Sequence, residues 1–235
     1  MHSFADETAL ANGVAAAWLE QVATANESGA RRCVALSGGR IARQFFAAVV
    51  ELAQAKSVNL DALDFFWGDE RCVPPDDPES NFGVAAKLLL EPLGIAPGRI
   101  HRIRGELAPD AAAHEAEVVL LKGAPQTTAG QPVFDWVFLG MGEDGHVASL
   151  FPGEPAAVMA GGAIYRSVIA IKPPPQRVTL GYATLAAARE VWVLASGAGK
   201  EAALRESLKT GGTTPLARVI ARRERTRIFT DLRAT

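Results

Sequence analysis

The amino-acid sequence predicts an α/β fold in which a largely parallel sheet is covered by helices on both faces. Short apolar segments alternate with stretches of helical periodicity, and polar, glycine-rich turns follow several of the apolar segments. This alternation is typical of strand–helix units joined into a parallel sheet. Hydrophobic residues make up 49% of the 235 positions, which is enough for a full core. We therefore expect ligands at the carboxyl ends of the strands.

The first half of the chain contains three predicted strands and four predicted helices. Helical spacing of apolar residues predicts helices over 6–26, 41–55, 80–90 and 109–122. Asp6 is placed to cap the first of these helices, and either Ser80 or Asn81 to cap the third. Apolar runs bounded by polar turns predict strands over 31–36, 63–67 and 100–103.

The second half of the chain continues the same alternation. Strands are predicted over 134–139, 164–171, 191–195 and 226–230. Helices are predicted over 178–188 and 199–209, and another begins at His146 and runs to Leu150. Because no repeat or interdomain linker interrupts this order, we expect one domain over residues 1–235.

Charge and composition exclude several classes of function. The chain carries 24 Lys and Arg against 26 Asp and Glu, so it has no global positive field to attract nucleic acid or an anionic membrane. The segment MHSFADETALANG lacks the basic start and long apolar stretch that are expected of a secretory signal, and no run approaches the roughly 20 apolar residues of a membrane span. Cys33 and Cys72 form neither a metal-binding spacing nor a disulfide framework. We expect a cytoplasmic protein with free thiols that holds no metal.

The turn Ser37-Gly38-Gly39 is the first candidate ligand site. Paired glycines leave backbone N–H groups uncovered, and the helix that follows presents its positive end to the same space. Phosphate is the ligand that suits this arrangement. Gly-Gly turns without ligands are also common, and Arg40 is either a further cation for the phosphate or a solvated side chain.

The segment WGDER, at 67–71, follows a predicted strand directly. Asp69 and Arg71 together have the chemistry to orient a hydroxyl-bearing substrate and to stabilise an oxyanion. Glu70 points the opposite way in an extended chain and is interpreted as structural. The alternative for the whole segment is a solvated, salt-bridged loop.

The segment GMGEDGH, at 140–146, places Asp144 and His146 close together in a tight turn. An imidazole accepts a proton from water near neutral pH, and a neighbouring carboxylate favours the tautomer that this requires. We therefore interpret His146 as a general base, although a lone histidine is more often a packing or capping residue. Two later cations, Arg177 and Lys200, are candidates to bind a phosphate at the rim of the cleft or are surface charges. The basic run at 222–227 is interpreted as a solvated face.

Four motifs together resemble the 6-phosphogluconolactonase family, within the glucosamine-6-phosphate deaminase-like superfamily. They are LSGGR at 36–40, FFWGDERCVPPDDPESNFG at 65–83, FLGMGEDGHVASLFPG at 138–153, and PPPQRVTLGYATLAAAREVWVLASGAGK at 173–200. The resemblance spans nearly the whole chain. It implies a Rossmann-like, three-layer α/β/α fold and hydrolysis of 6-phospho-D-glucono-1,5-lactone, in the oxidative pentose phosphate pathway, without metal or cofactor.

The resemblance also implies a role for each matching residue. His146 corresponds to the general base, Asp144 to its neighbour, and Asp69 and Arg71 to polar groups of the active site. The phosphate-binding group implied by the motifs consists of Ser37, Gly38, Gly39, Arg177 and Lys200. The chain departs from the family pattern at two places within these motifs. Arg40-Ile41-Ala42 replaces a small hydroxyl residue and proline, which leaves the role of Arg40 open, and Val147 replaces a common threonine.

Two other functions compete with lactone hydrolysis. The same scaffold and Asp-Gly-His turn suit an enzyme that isomerises and deaminates an amino-sugar phosphate, for which release of ammonia is the diagnostic reaction. The SLFP continuation at 149–152 and Arg71 resemble the lactonase branch. A non-catalytic sugar-phosphate sensor would bind tightly without turnover, but the sequence contains no output module. We expect the protein to act as a monomer or weak homodimer on a small sugar-phosphate lactone.

Overall fold

The computed structural model describes residues 1–232 and contains a six-stranded sheet in which all neighbouring strands are parallel. Its strands, in chain order, are β1 (His2–Ser3), β2 (Arg32–Leu36), β3 (Leu63–Trp67), β5 (Trp136–Gly140), β8 (Glu190–Ala195) and β9 (Arg227–Thr230). Their spatial order is β1-β9-β8-β5-β2-β3. The predicted parallel sheet is therefore confirmed.

Eight α-helices surround this sheet within the described part of the chain. They are α1 (Glu7–Asn26), α2 (Arg40–Lys56), α3 (Asn81–Ala85), α4 (Pro109–Gly123), α5 (Ala156–Ala160), α6 (Tyr182–Ala187), α7 (Glu201–Leu208) and α8 (Pro215–Ala221). Helix α3 continues in π-helical geometry over Ala86–Leu90. The side chain of Asp6 caps α1, and Ser80, rather than Asn81, caps α3 by accepting the N–H of Gly83 at 3.0 Å. The three-layer α/β/α architecture is confirmed.

A cluster of aromatic side chains joins helices α1 and α2 to the centre of the sheet. Trp18 on α1 contacts Phe45 on α2 and Phe138 on β5, with ring centroids 5.8 and 5.1 Å apart. Phe138 in turn contacts Trp192 on β8 at 5.7 Å. Burial of these large apolar surfaces is the main force that fixes the helices on the sheet.

A second sheet of three antiparallel strands was not predicted. It consists of β4 (Asp69–Arg71), β6 (Tyr165–Ile169) and β7 (Gln176–Leu180), with β7 in the middle. The predicted helix over 178–188 is therefore wrong at its start, because residues 176–180 form β7 and α6 begins only after Gly181. Pairing with β4, a tertiary contact, outweighs the local helical pattern of this segment.

Two further predicted elements are wrong. Residues 100–103 form no strand, since only Ile100 makes a single bridge, to Phe65. Residues 146–150 form no helix, because Val147 bridges both Met141 and Leu150, and Ala148 has a φ of 49°. The buried Val147 side chain and this left-handed residue turn the chain back on itself instead.

The basic run at 222–227 is only partly a solvated face. Arg223 donates hydrogen bonds to the carbonyls of Leu185, Ala186 and Ala188 at 2.7–2.8 Å. These carbonyls belong to the C-terminal end of α6, so the guanidinium satisfies groups that a helix end leaves unpaired. Within residues 1–232, no helix combines the length and apolar character needed to cross a membrane.

Candidate active site

Polar turns after several strands of the parallel sheet meet around one cleft. Nine of the ten site residues expected from the sequence line it, namely Ser37, Gly38, Gly39, Arg40, Asp69, Arg71, His146, Arg177 and Lys200. The tenth, Asp144, lies beside the cleft and contacts His146. The turn after β2 and the turn after β5 are adjacent because β2 and β5 are paired in the sheet. His146 and the Gly-Gly turn thus border the same space.

His146 and Asp144 form a close pair. The carboxylate Oδ1 of Asp144 lies 2.6 Å from Nδ1 of the imidazole and also accepts the backbone N–H of His146 at 3.1 Å. Partial burial raises the pKa of Asp144, but the hydrogen bonds from His146 outweigh this effect and leave the pKa below its ordinary value. A carboxylate at Nδ1 favours the tautomer with the proton on that atom, so Nε2 is free to accept a proton.

Two neighbours restrict the orientation of this imidazole. A Cβ atom at Gly142 would lie 2.1 Å from both Nδ1 and Cε1 of His146, so any side chain at position 142 would displace the imidazole. On another side, the ring of Phe151 lies with its centroid 5.1 Å from that of the imidazole. The ring is therefore held by a carboxylate, a glycine and an aromatic side chain, while 30% of the side chain remains exposed.

The Gly-Gly turn leads into the 17-residue helix α2. Gly39 precedes the first helical residue with a φ of 99°, a conformation that side chains disfavour. The hydroxyl of Ser37 is buried and has no hydrogen-bond partner among residues 1–232. An uncapped helix start beside an unpaired hydroxyl is suited to bind an anion.

Arg71 and Arg177 face each other across the antiparallel pair β4–β7. The register pairs Asp69 with Thr179 and Arg71 with Arg177, so the two guanidinium groups start from the same face of the small sheet. Arg177 is buried, and its pKa is lowered by that burial and by the charge of Arg71. Like charges in directly opposite positions destabilise a strand pair, and a bound anion would offset this cost.

Lys200 adds another cation, at the start of α7. Burial lowers its pKa, and the nearby charge of Arg40 lowers it further, while Glu143, Glu7 and Asp231 act in the opposite direction. The exposed Arg40 itself pairs with Glu7 on α1 through an Nη1–Oε2 distance of 3.0 Å. The cleft thus combines four cationic side chains with a single carboxylate, Asp69, in its lining.

Asp69 is held by two residues for which the sequence predicted no role in the cleft. The hydroxyl of Ser149 donates to Oδ2 of Asp69 at 2.7 Å. The amide of Asn81 donates to its backbone carbonyl at 2.9 Å and to Oδ1 at 3.3 Å. Both partners are buried, and they lie 12 and 80 positions from Asp69 along the chain, so no local pattern connects them to it.

Glu70 lies on the opposite face of β4 and organises the loop that follows. Its carboxylate accepts the backbone N–H groups of Arg71, Asn81 and Phe82 at 2.7–2.8 Å, and the hydroxyl of Ser80 at 3.2 Å. Burial raises the pKa of Glu70 to about 7, and the three N–H donors oppose that rise. These contacts give Glu70 a structural environment outside the cleft.

Metal-ligating side chains are dispersed in the described structure. Across residues 1–232, no three or more His, Cys, Asp or Glu side chains are grouped so as to hold a metal ion. Cys33 is buried and Cys72 is half-buried, and both are free thiols.

The fold and the cleft define an α/β protein with a cation-lined pocket and an Asp–His pair at the carboxyl edge of its parallel sheet. The family model described as glucosamine-6-phosphate isomerases/6-phosphogluconolactonase matches residues 5–228. The chain belongs to this family, as the motifs of the sequence indicate.

Individual relatives agree with this assignment. The chain is 35% identical over 217 residues to a 6-phosphogluconolactonase of Streptomyces coelicolor, covering 88% of this chain and 82% of the relative. It resembles the solved structure of 6-phosphogluconolactonase from Trypanosoma brucei with a TM-score of 0.80 and 29% identity, covering 98% and 94% of the two chains. A monomeric glucosamine-6-phosphate deaminase has a TM-score of 0.80 at 18% identity over 100% of this chain and 98% of its own, which shows the shared fold alone.

Proposed function

We propose that the protein hydrolyses 6-phospho-D-glucono-1,5-lactone to 6-phosphogluconate in the oxidative pentose phosphate pathway. The observation that carries this proposal is the common cleft of the Asp144–His146 pair and the cation-lined Gly-Gly turn. A sugar phosphate has an anion at one end and the reacting carbonyl at the other, and this cleft has a suitable partner for each. The names of the relatives support the choice of a lactone as substrate.

The phosphate binds at the side of the cleft formed by the start of α2. Backbone N–H groups of Gly38 and Gly39, the unpaired hydroxyl of Ser37, and the cations of Arg177 and Lys200 are its partners. Arg40 adds a further positive charge at the rim. Binding energy from this remote group positions the lactone carbonyl for attack.

His146 acts as general base on a water molecule. Nε2 takes a proton from the water as its oxygen attacks C1, and the carbonyl oxygen becomes an oxyanion. Arg71 or backbone N–H groups stabilise the oxyanion. When the bond from C1 to the ring oxygen breaks, the imidazolium returns its proton to that oxygen, and the new acid loses a proton to solvent. Asp144 stabilises the imidazolium between these steps.

Asp69 orients the substrate in this mechanism. Its carboxylate already accepts hydrogen bonds from Ser149 and Asn81, and its remaining lone pairs suit a substrate hydroxyl. A carboxylate fixed by two donors is well placed to select the pose of the sugar ring and less suited to act as a second base.

The central test is acid release from freshly prepared lactone, measured against spontaneous hydrolysis. We expect His146→Ala to lower kcat by about 10²–10⁴-fold, the usual contribution of a general base. His114→Ala is the matched control, since His114 is exposed on α4 away from the cleft. Equal rates for wild type and His146→Ala would remove the proposed base.

Two further measurements distinguish lactone hydrolysis from the two competing functions. Release of ammonia from glucosamine 6-phosphate would assign the protein to the deaminase branch of the shared fold. Tight binding of 6-phosphogluconate without turnover of the lactone would indicate a sensor.

We also propose a cellular setting and an assembly state for the enzyme. The two free thiols favour a reducing, cytoplasmic environment. We further propose that the chain acts as a single domain and as a monomer or weak homodimer. Its reaction needs neither metal nor cofactor, and its net charge of −2 gives no basis for binding nucleic acid or a membrane surface.

A further inference from the structure

Phe151 lies between two functional groups of the cleft. Its ring centroid is 5.1 Å from that of His146, with the ring planes inclined by 47°. The guanidinium carbon of Arg177 lies over the same ring, 5.8 Å from its centroid. One aromatic side chain therefore contacts both the proposed base and a proposed phosphate ligand.

The backbone before Phe151 is fixed at several points. Val147 makes bridges to Met141 and Leu150, and the backbone N–H of Ser149 donates to the hydroxyl of Thr179 at 3.1 Å. The side chain of Ser149 is bonded to Asp69. A segment held in this way gives Phe151 little freedom to move away from the imidazole.

Arg177 is fixed just as firmly on the other side of the ring. Its Nε donates to the carbonyl of Pro174 at 3.0 Å, and its Nη2 donates to the carbonyl of Lys172 at 3.2 Å. The side chain starts from β7, whose pairing with β4 sets the position of its backbone. The guanidinium, the phenyl ring and the imidazole thus form a continuous row.

We propose that Phe151 is a positioning residue that holds the His146 imidazole in its reactive orientation and couples it to the anion bound at Arg177. This inference rests on the proposed function of the cleft. Asp144 fixes Nδ1 and Gly142 limits one side of the ring, but neither prevents rotation toward the space beside Phe151, Ile171 and Lys172. The phenyl ring closes that direction.

The coupling has a simple physical basis. A cation over an aromatic face is attracted to it, and a phosphate that binds the guanidinium from the cleft side competes for the same charge. Any small shift of Arg177 on anion binding therefore changes the contact that holds Phe151 against His146. Misplacement of a catalytic group by about 1 Å costs on the order of 10²-fold in rate. Even a small displacement of the His146 imidazole therefore has a measurable effect on the rate.

Kinetics of Phe151→Leu provide the first test. We expect kcat to fall about tenfold while KM changes less than about threefold, because the base is disordered and the phosphate ligands stay in place. Phe151→Tyr retains the ring and is expected to restore kcat to within about twofold of wild type. A leucine variant with wild-type kcat would overturn the proposal.

Phe82→Leu is the matched control. Phe82 is also half-buried, has an arginine over its ring, with Arg102 at 5.4 Å, and contacts Trp67 at 5.5 Å, but it does not touch His146. Its kcat should stay within about twofold of wild type. A loss equal to that of Phe151→Leu would reduce the effect to general packing and contradict the proposal.

Nuclear magnetic resonance of the imidazole nitrogens gives a readout independent of turnover. Added inorganic phosphate should shift the His146 ring signals in wild type and shift them at most half as far in Phe151→Leu. Equal shifts in both proteins would exclude the coupling. Because this measurement needs no lactone, it separates failure of the inference from failure of the proposed function, which the His146→Ala assay tests.

Discussion

At the scale of single residues, we expect Lys200 to make the affinity for 6-phosphogluconate dependent on pH. Its pKa is lowered by burial and by Arg40, so its positive charge is lost at a lower pH than that of an ordinary lysine. The phosphate group is fully ionised above about pH 7.5. Affinity for 6-phosphogluconate should therefore weaken as pH rises through the lowered pKa of Lys200, and calorimetric titration between about pH 7.5 and 10 measures this.

Removal of Arg40 tests the cause of that dependence. In Arg40→Gln, the pKa of Lys200 moves back toward its ordinary value, so the loss of affinity should begin at a higher pH. Arg43→Gln is the control, because Arg43 is exposed on the same helix and is not among the charges that shift Lys200. An unchanged onset in Arg40→Gln would contradict this account.

The residues of the cleft were not equally predictable from the sequence. His146 and Asp144 stand two positions apart in a glycine-rich turn, so their local chemistry was sufficient to predict that they meet. Asn81 and Ser149 contact Asp69 across 12 and 80 positions of the chain. Phe151 is close to His146 in the chain, but its other contact, Arg177, lies on β7. Amide, hydroxyl and phenyl groups have no strong chemical signal of their own, so no role in the cleft was predicted for these three residues.

At the scale of elements, the parallel sheet was predictable and the small antiparallel sheet was not. Each strand of the parallel sheet except the two-residue β1 is an apolar run with recognisable boundaries. Strand β4 is only three residues long and consists of charged side chains, a composition that normally indicates a loop. It is a strand because β7 pairs with it, and that partner is about 100 residues away.

Because Arg71 and Arg177 are paired on β4 and β7, we expect a substitution of Arg71 to change ligand affinity much more than stability. In Arg71→Gln, the hydrogen bond to the carbonyl of Glu79 is lost, but the repulsion with Arg177 is removed. We expect the free energy of unfolding to stay within about 1 kcal/mol of wild type, since both effects are of that size. Affinity for 6-phosphogluconate should fall at least tenfold, because a charge-assisted contact is lost.

Denaturant unfolding and calorimetry check the two halves of this prediction. Arg102→Gln is the control, as Arg102 is paired with Glu106 outside the lining of the cleft and should leave the affinity unchanged. Wild-type affinity in Arg71→Gln would show that Arg71 does not contact the ligand.

At the scale of the whole molecule, the topology converts scattered motifs into one site. Ser37 and Lys200 are far apart along the chain. Both line the cleft because β2, β5 and β8 are consecutive in the sheet. This convergence was predictable, since the carboxyl ends of parallel strands share one edge. The pairing of β4 with β7 was not predictable, because it depends on a strand register that only the folded chain defines.

The three-residue ladder between β4 and β7 has a consequence for the order of refolding. It joins distant segments and brings two like charges together, so we expect it to gain stability only after the main core has formed. After dilution from denaturant, lactonase activity should return more slowly than the tryptophan fluorescence. That signal reports the main core, because all four tryptophans are buried in it, namely Trp18, Trp67, Trp136 and Trp192. If both signals recovered with one rate constant, the β4–β7 ladder would form together with the core, and the active site would not be completed in a later folding step.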